Sequence, residues 1–314
     1  MRRSPRVRGM VAGLLGEHLS PIDLDFIRGL PDGIVVDLDR QLELARQDTD
    51  LPSVLWSVLW EASRARALGE RCPKQVTFAL RGRRFTMELD LAESPECGYL
   101  LRNPTIKLTK LLIDASADKG AHTMLDIGAN AGFHALTAGL FFRRVIAFEP
   151  TPATADRLDR NIALSGMPHV TALRVALSNR AGTANLQMDR GHCGTNHIGN
   201  PGHIGNPGHI GNAGANTMTV AVQPLDSIAD LGRVDFIKID VEGHECEVLE
   251  GAQRTIERDR PQLMVEFNTA PQFDRFRSLL PRGYTALQPS LVAAATPIAN
   301  GDAAVAARDV WFRP

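Results

Sequence analysis

"LDIGANAGFHALTAG" (125–139) passes from a strand pattern, through a glycine turn, into a helix pattern. A short apolar run, "TMLDIG" (123–128), ends at Asp126 and Gly128, and "FHALTAGLFF" follows with helical periodicity. The alternation continues downstream. "RVIAFEP" (144–150) reads as a second strand, "ATADRLDRNIALSG" (153–166) as a second helix closed by Gly166, and "HVTALRVAL" (169–177) as a third strand. Then come the strand "VDFIKID" (234–240), a helix through "ECEVLEGAQRTIER" and the strand "PQLMVEFN" (261–268). Such alternation predicts an α/β fold, a mostly parallel sheet with helices on both faces. "GYTALQP" and "RDVWFRP" are expected to pair as the last, antiparallel strands. Ligands of such sheets bind beyond the carboxyl ends of the strands.

The turn itself narrows the ligand. Gly128, Asn130 and Gly132 stand at alternate positions, where glycine lets the backbone turn tightly and approach a ligand closely. A dinucleotide site needs Gly-x-Gly-x-x-Gly spacing with the pyrophosphate at a helix N-terminus. Here the spacing is Gly-x-x-x-Gly, and Asp126 precedes it. An acid at that place repels a pyrophosphate and suits an amine or a sulfonium. The second strand ends in Glu149, 23 residues after Asp126, where an acid can take the two hydroxyls of a ribose. Two acids flanking a glycine turn describe a nucleoside carrying a cation, S-adenosyl-L-methionine. A nicotinamide-dependent oxidoreductase is the rival that the missing fingerprint opposes. The bland alternatives are a helix N-cap for Asp126 and a solvated strand end for Glu149.

"DIGANAGFHAL", "AFEPTP", "ALSN", "LDSI" and "DFIKIDVEGHECEVLEGA" follow in order the pattern of the FkbM-type methyltransferases, and the chain resembles that family over about residues 96–290. The resemblance implies a Rossmann-like class I methyltransferase fold with a seven-stranded sheet and S-adenosyl-L-methionine as cofactor. It implies transfer to a hydroxyl oxygen of a small molecule, sugar or glycolipid. By motif, Asp126, Gly128, Asn130 and Gly132 line the methionine end, Glu149 holds the ribose and Ala176 lies by the adenine. A domain that binds the cofactor without catalysis is the alternative, and the intact acids at 126, 149 and 240 speak for the enzyme.

Asp240, Glu242, His244 and Glu245 crowd one turn after the fourth strand. Methyl transfer requires alignment and removal of the acceptor proton. Asp240 is the first choice for contact with cofactor and acceptor. His244, where the family often carries alanine, is a candidate base because an ordinary imidazole titrates near roughly pH 6.5; its bland reading is an exposed helix start. Glu266, ending the fifth strand, faces the same cleft. Asp240, His244 and Glu266 also have the mixed ligand chemistry of a divalent-metal site, which the sequence does not require.

The remaining features bound the function. With 44% hydrophobic and 23% charged residues and a net charge of −1, the chain is ordinary for a soluble protein and unlike a nucleic-acid binder working by bulk charge. Cys72, Cys97, Cys193 and Cys246 form no C-x-x-C pair, so neither a zinc ribbon nor a thioredoxin-like site is indicated, and scattered thiols fit a reducing, cytoplasmic setting. The basic "MRRSPRVRGMVAGLLG" reads as a flexible tail, and no apolar run is long enough for a membrane span. "SVLWSVLWEASRARAL" (53–68) has the spacing of a helix, "KQVTFALRGRRFTMELD" (74–90) that of a hairpin, and "NPTIKLTKLLIDASADKG" (103–120) that of another helix. The expected organisation is an N-terminal extension over 1–90 and a methyltransferase domain over 91–314. Within the latter, "GTNHIGNPGHIGNPGHIGNAGAN" (194–216) repeats His-Ile-Gly-Asn-Pro-Gly and is expected to be a flexible loop near the acceptor. Its His197, His203 and His209 are also weak metal-ligand candidates.

Overall fold

The computed structural model describes residues 33–47, 73–90, 96, 99, 106–117, 122–187, 197–198, 217–291 and 294–314. The basic segment 1–16, the helix expected over 53–68 and most of the repeat lie outside them. The chain divides into two compact units, Met1–Ile106 and Lys107–Pro314.

The first unit carries β1 (Ile34–Asp37), α1 (Leu38–Gln47), β2 (Pro73–Leu80) and β3 (Arg83–Asp90). The sheet order is β1-β2-β3, with β2 and β3 antiparallel. Val76, Phe78 and Leu80 alternate with exposed or half-buried neighbours, as do Phe85, Met87 and Leu89 up to the buried Asp90 that ends β3, so one face is apolar and buried. Phe78 and Phe85 stack across the pair at 5.0 Å. Arg81 and Gly82, with φ of 52° and 71°, make the two-residue turn whose handedness matches the strand twist, which confirms the hairpin.

The second unit continues with α2 (Ile106–Ala117), β4 (Thr123–Ile127), α3 (Phe133–Gly139), β5 (Arg144–Phe148), α4 (Pro152–Ser165) and β6 (Val170–Leu173). After these come β7 (Ala176–Leu177), β8 (Gly182–Gln187), β9 (His197–Ile198) and β10 (Thr217–Gln223). The chain closes with β11 (Phe236–Ile239), α5 (Glu245–Glu250), α6 (Gln253–Asp259), β12 (Gln262–Glu266), α7 (Ala270–Leu279), β13 (Thr285–Gln288), β14 (Thr296–Pro297), α8 (Gly301–Ala307) and β15 (Asp309–Arg313). The main sheet runs β14-β13-β15-β12-β11-β4-β5-β6. Five neighbouring strands, β12 to β6, are parallel, and β15 is antiparallel to both β12 and β13. The two-residue β14 adds an eighth strand at the edge of the expected seven.

Succession from β4 runs outward one way through β5 to β6, and from β11 the other way through β12. Because parallel crossovers are right-handed, that reversal puts helices on opposite faces and opens a crevice between β4 and β11. Every residue of β4 and of β11 is buried, as expected of central parallel strands. Phe267, Phe273, Phe276 and Phe312 pack with ring centroids 5.3–6.1 Å apart, which fixes α7 and β15 beside β12.

Two elements read as continuous in the sequence are divided. The strand expected over 169–177 breaks after Leu173, where Val175 N donates to Leu173 O at 3.0 Å in a tight turn. Ala176 and Leu177 then pair with Val222 and Gln223 of β10 in a second sheet, β7-β10-β8-β9. His197–Ile198, at the start of the repeat, form the edge strand of that sheet. The helix expected through 245–258 breaks at Gly251 and Ala252, and Asp226 caps its second half by accepting from Arg254 N (2.8 Å) and Thr255 N (2.9 Å).

Glycine is demanded most strongly at Gly128, which has φ of +79° and would place a Cβ 1.9 Å from the carbonyl oxygen of Asp240. Gly166, the left-handed C-cap of α4 at φ +62°, has open space around it. Gly166→Ala is therefore expected to cost only the left-handed penalty, about 1–2 kcal/mol. Gly128→Ala should cost about 3 kcal/mol or more, because overpacking adds to that penalty. Thermal or urea melts of the two variants check this; equal losses would mean that the β4 and β11 turns separate freely.

Candidate active site

The crevice is built around one buried cation. Lys238, 4% exposed, lies in β11 directly opposite Asp126 of β4 in the strand register. Its ammonium is 3.2 Å from Asp126 Oδ1 and 3.4 Å from Asp240 Oδ2, and it donates to Gly128 O at 3.1 Å. Asp126 is completely buried, and burial pushes its carboxyl up against the opposing pull of Lys238. Asp126 is thus not the N-cap of α3; Gly132 holds that position at φ +97°.

The turn after β4 is held by the end of β5. Gly128 N and Ala129 N both donate to Phe148 O, at 3.1 and 3.0 Å. Glu149 is buried rather than solvated: its Oε2 accepts from Asn130 N (3.1 Å) and its Oε1 from Thr151 N (2.9 Å). Burial raises its pKa despite those hydrogen bonds. Asn130 takes a left-handed φ of 51°, and its Oδ1 accepts from Ala131 N. Ala176, buried in β7, stands in the second sheet instead of ending the third strand.

On the other side of the crevice, carboxylates from three strand ends meet. Asp240 follows β11 and its side chain is 32% exposed. Glu266 ends β12 and is the register partner of Asp309, which opens β15. Arg308, at φ 59°, donates to Glu266 Oε1 through Nε (3.0 Å) and Nη2. Glu242 occupies a left-handed position at φ 55° in the turn after β11. Burial first, then Asp240, Glu266 and Glu245, push Glu242 up to about 8. Burial and Asp240 push Glu266 up to about 7 and Asp309 to about 6. Burial raises Glu245 to about 7, although its oxygens accept from Val241 N, Gly243 N and the Gln272 side chain. Glu245 is thus the internal brace of the turn that carries Asp240.

His244 belongs to a different group of side chains. It is 7% exposed, so it is not an exposed helix start, and its ring contacts Ser178 Oγ and Glu247 instead of Asp240 or Glu266. Among the described residues no three His, Cys, Asp or Glu side chains gather as a metal-holding group, so Asp240, His244 and Glu266 do not form one. The repeat's histidine side chains lie outside the described residues. Lys238, Arg308 and Asp309 were missed in the sequence reading. Lysine within the apolar run "FIKI" was the available signal, because a charge in a central parallel strand must be paired. A cavity of about 750 Å³ lined by Asp226, Leu231, Arg254 and Arg258 opens at the amino ends of the strands, remote from these groups.

The strand order and the acid-flanked glycine turn at the crevice define a Rossmann-like fold of the class I methyltransferase type. The chain belongs to the methyltransferase FkbM domain family, which matches residues 126–286. It is 30% identical over 161 residues to the hexuronic acid methyltransferase AglP of Haloferax volcanii, covering 50% of this chain and 59% of that protein. It is 29% identical over 153 residues to the methyltransferase sdnD of Sordaria araneosa, covering 41% of this chain and again 59% of the relative. The crystal structure of methyltransferase FkbM from Methylobacillus flagellatus superposes with a TM-score of 0.38 at 19% identity, over 61% of this chain and 43% of that one. Among the described residues no helix is long and apolar enough to cross a membrane.

The raised carboxyls fix the sign of a pH effect. Each holds its proton more tightly folded than unfolded, so its contribution is full below the unfolded pKa and is lost as pH rises through about 6 to 8. The melting temperature is expected to fall from about pH 5 to about pH 8 at low salt and to level off above that. Glu242→Gln should flatten that fall, matching the parent near pH 5 and exceeding it near pH 9. Parallel curves for the two proteins would remove Glu242 from this role.

Proposed function

We propose that the chain binds S-adenosyl-L-methionine in the β4–β11 crevice and transfers its methyl group to a hydroxyl oxygen of a sugar-like or other small acceptor. The observation that carries this reading is the meeting of Gly128, Glu149, Asp240 and Glu266 at the carboxyl ends of β4, β5, β11 and β12. Family membership and the hexuronic acid methyltransferase among its relatives support it. In this reading residues 91–314 form the catalytic domain, and it works in the cytoplasm without nucleic acid.

The residues fit the cofactor. Gly128 lets the turn after β4 lie directly against the backbone of Asp240, where a Cβ would come within 1.9 Å of its carbonyl oxygen, so the two turns that bound the crevice are held together. Glu149 accepts from the backbone N–H groups of Asn130 and Thr151 and from the Thr151 side chain, which orient the carboxylate for a ribose hydroxyl. Asn130, Gly132 and the Asp126–Lys238 pair shape the methionine side, and Ala176 the adenine side. When bound, the sulfonium supplies the methyl group, its S–C bond breaking with the electron pair going to sulfur as the C–O bond forms. Asp240, the carboxylate open to the crevice, orients the acceptor and takes its proton, with Glu266 as the next group able to do so. Lys238, 3.4 Å from its Oδ2, aims the Asp240 carboxylate.

Glu149→Ala is expected to weaken cofactor binding about ten- to hundredfold by removing charge-assisted hydrogen bonds of roughly 1.5–3 kcal/mol. Calorimetry on a correctly folded variant measures this, and an unchanged Kd removes Glu149 from the ribose role. The parent protein should bind S-adenosyl-L-methionine and not NAD, which tests the oxidoreductase rival. Asp240→Asn should lower methyl transfer far more than cofactor affinity, because its charge acts on the acceptor in the transition state. A screen of hydroxylated acceptors, sugars and uronic acids first, supplies the assay; full turnover by Asp240→Asn would refute its assignment.

A further inference from the structure

Six side chains close a ring between the segment after β7, α5 and α7. Ser178 Oγ and His244 Nε2 are 3.0 Å apart, and both residues are buried. His244 Nδ1 lies 3.6 Å from Glu247 Oε2. Glu247 Oε1 accepts from Arg275 Nη1 at 2.8 Å, and Arg275 Nη2 donates to Glu250 Oε1 at 2.7 Å. Glu250 Oε2 accepts from Asn179 Nδ2 at 2.7 Å, which returns the ring to its start. Backbone packing follows the same line: a Cβ on Gly251 would meet Ser178 O at 2.0 Å.

We propose that His244 is a positioning residue, a neutral ring that latches the segment carrying Ala176 to the helix that follows the Asp240 turn. This rests on the cofactor site proposed above. Ser178 Oγ and His244 Nε2 are within hydrogen-bond reach at 3.0 Å, and a neutral ring satisfies the contact whichever of the two donates. Nδ1 faces Glu247 Oε2 at 3.6 Å, longer than a hydrogen bond. A second ring proton would draw Glu247 from Arg275 and break the ring. The charged groups facing His244 are Glu247 and Glu250 on α5, Arg275 on α7, and Arg180 after β7. Burial and the two arginines hold its pKa below the ordinary value against the pull of the glutamates. The latch is therefore closed above about pH 6.5 and opens as pH falls through the lower folded pKa.

The test uses the full chain in two readouts. Deuterium exchange of the peptide spanning 176–180 reports the latch without any ligand, and calorimetry with S-adenosyl-L-methionine reports its effect on the site. His244→Ala is expected to speed exchange and to raise Kd about five- to tenfold at pH 7.5. His244→Gln, whose amide can still hydrogen-bond to Ser178, should restore both to within about twofold and abolish the acid-side rise in exchange expected of the parent. Ser178→Ala should reproduce His244→Ala and replaces it if that variant does not fold. Faster exchange with an unchanged Kd would make the ring structural only and overturn the positioning role. Unchanged exchange in both alanine variants, or acid-dependent exchange that persists in His244→Gln, would overturn the latch. Failure of the parent to bind S-adenosyl-L-methionine defeats the functional reading together with the positioning role, while the exchange data still decide the latch itself.

Discussion

Lys238 is the constraint on which the crevice depends. A central parallel strand has no water to offer an ammonium, so the charge must be answered from neighbouring backbone and side chains. Asp126 answers it across the ladder, Gly128 O from above, and Asp240 from its own strand end. These contacts join the two turns that bound the topological switch point. They explain why an acid stands inside β4, where the apolar pattern has no use for one. Removing one partner would leave the other buried and unmatched, so the pair specifies the junction more than it stabilises it.

Around this fixed centre the molecule tolerates an accumulation of like charge. Glu242, Glu245, Glu266 and Asp309 are held close enough to Asp240 for each to resist ionisation, and Arg308 and Lys238 only partly compensate. A chain selected for stability alone would disperse such a group. Its persistence at the strand ends, braced by Glu245 against backbone N–H groups and by Arg308 on Glu266, marks the edge where a cationic ligand would relieve the repulsion. The left-handed backbone at Glu242 and Arg308 belongs to the same region.

Local patterns carried most of the fold. The hairpin turn at Arg81–Gly82, the alternation from 123 onward and the antiparallel closure by β13 and β15 all follow from periodicity and turn chemistry. The bounds of the strands ending at Asp126, Glu149, Asp240 and Glu266 placed those four acids at one sheet edge. What escaped was non-local. The break between β6 and β7 depends on the pull of β10, the split of the helix after Glu250 on the approach of Ser178 to Gly251, and the environment of His244 on an arginine from α7. Spacing along the chain placed His244 beside Asp240, but the direction its ring takes is set by Ser178, 66 positions away, and by Glu247, which Arg275 holds from α7. Lys238 was visible as an anomaly within an apolar strand, and its meaning required the register with Asp126.

The departure of the chain into a second sheet has an evolutionary consequence. Pairing of Thr217 with Gln187 holds the two ends of the segment containing the repeat one strand spacing apart, whatever its length. The entropy of closing such a connection grows by only roughly 0.6 kcal/mol per doubling. Replication slippage can therefore add or delete hexapeptide units here with little penalty to folding, while the main sheet, several strands removed in the chain's own order, keeps its register. The register of the sheet therefore sets no fixed copy number at this site.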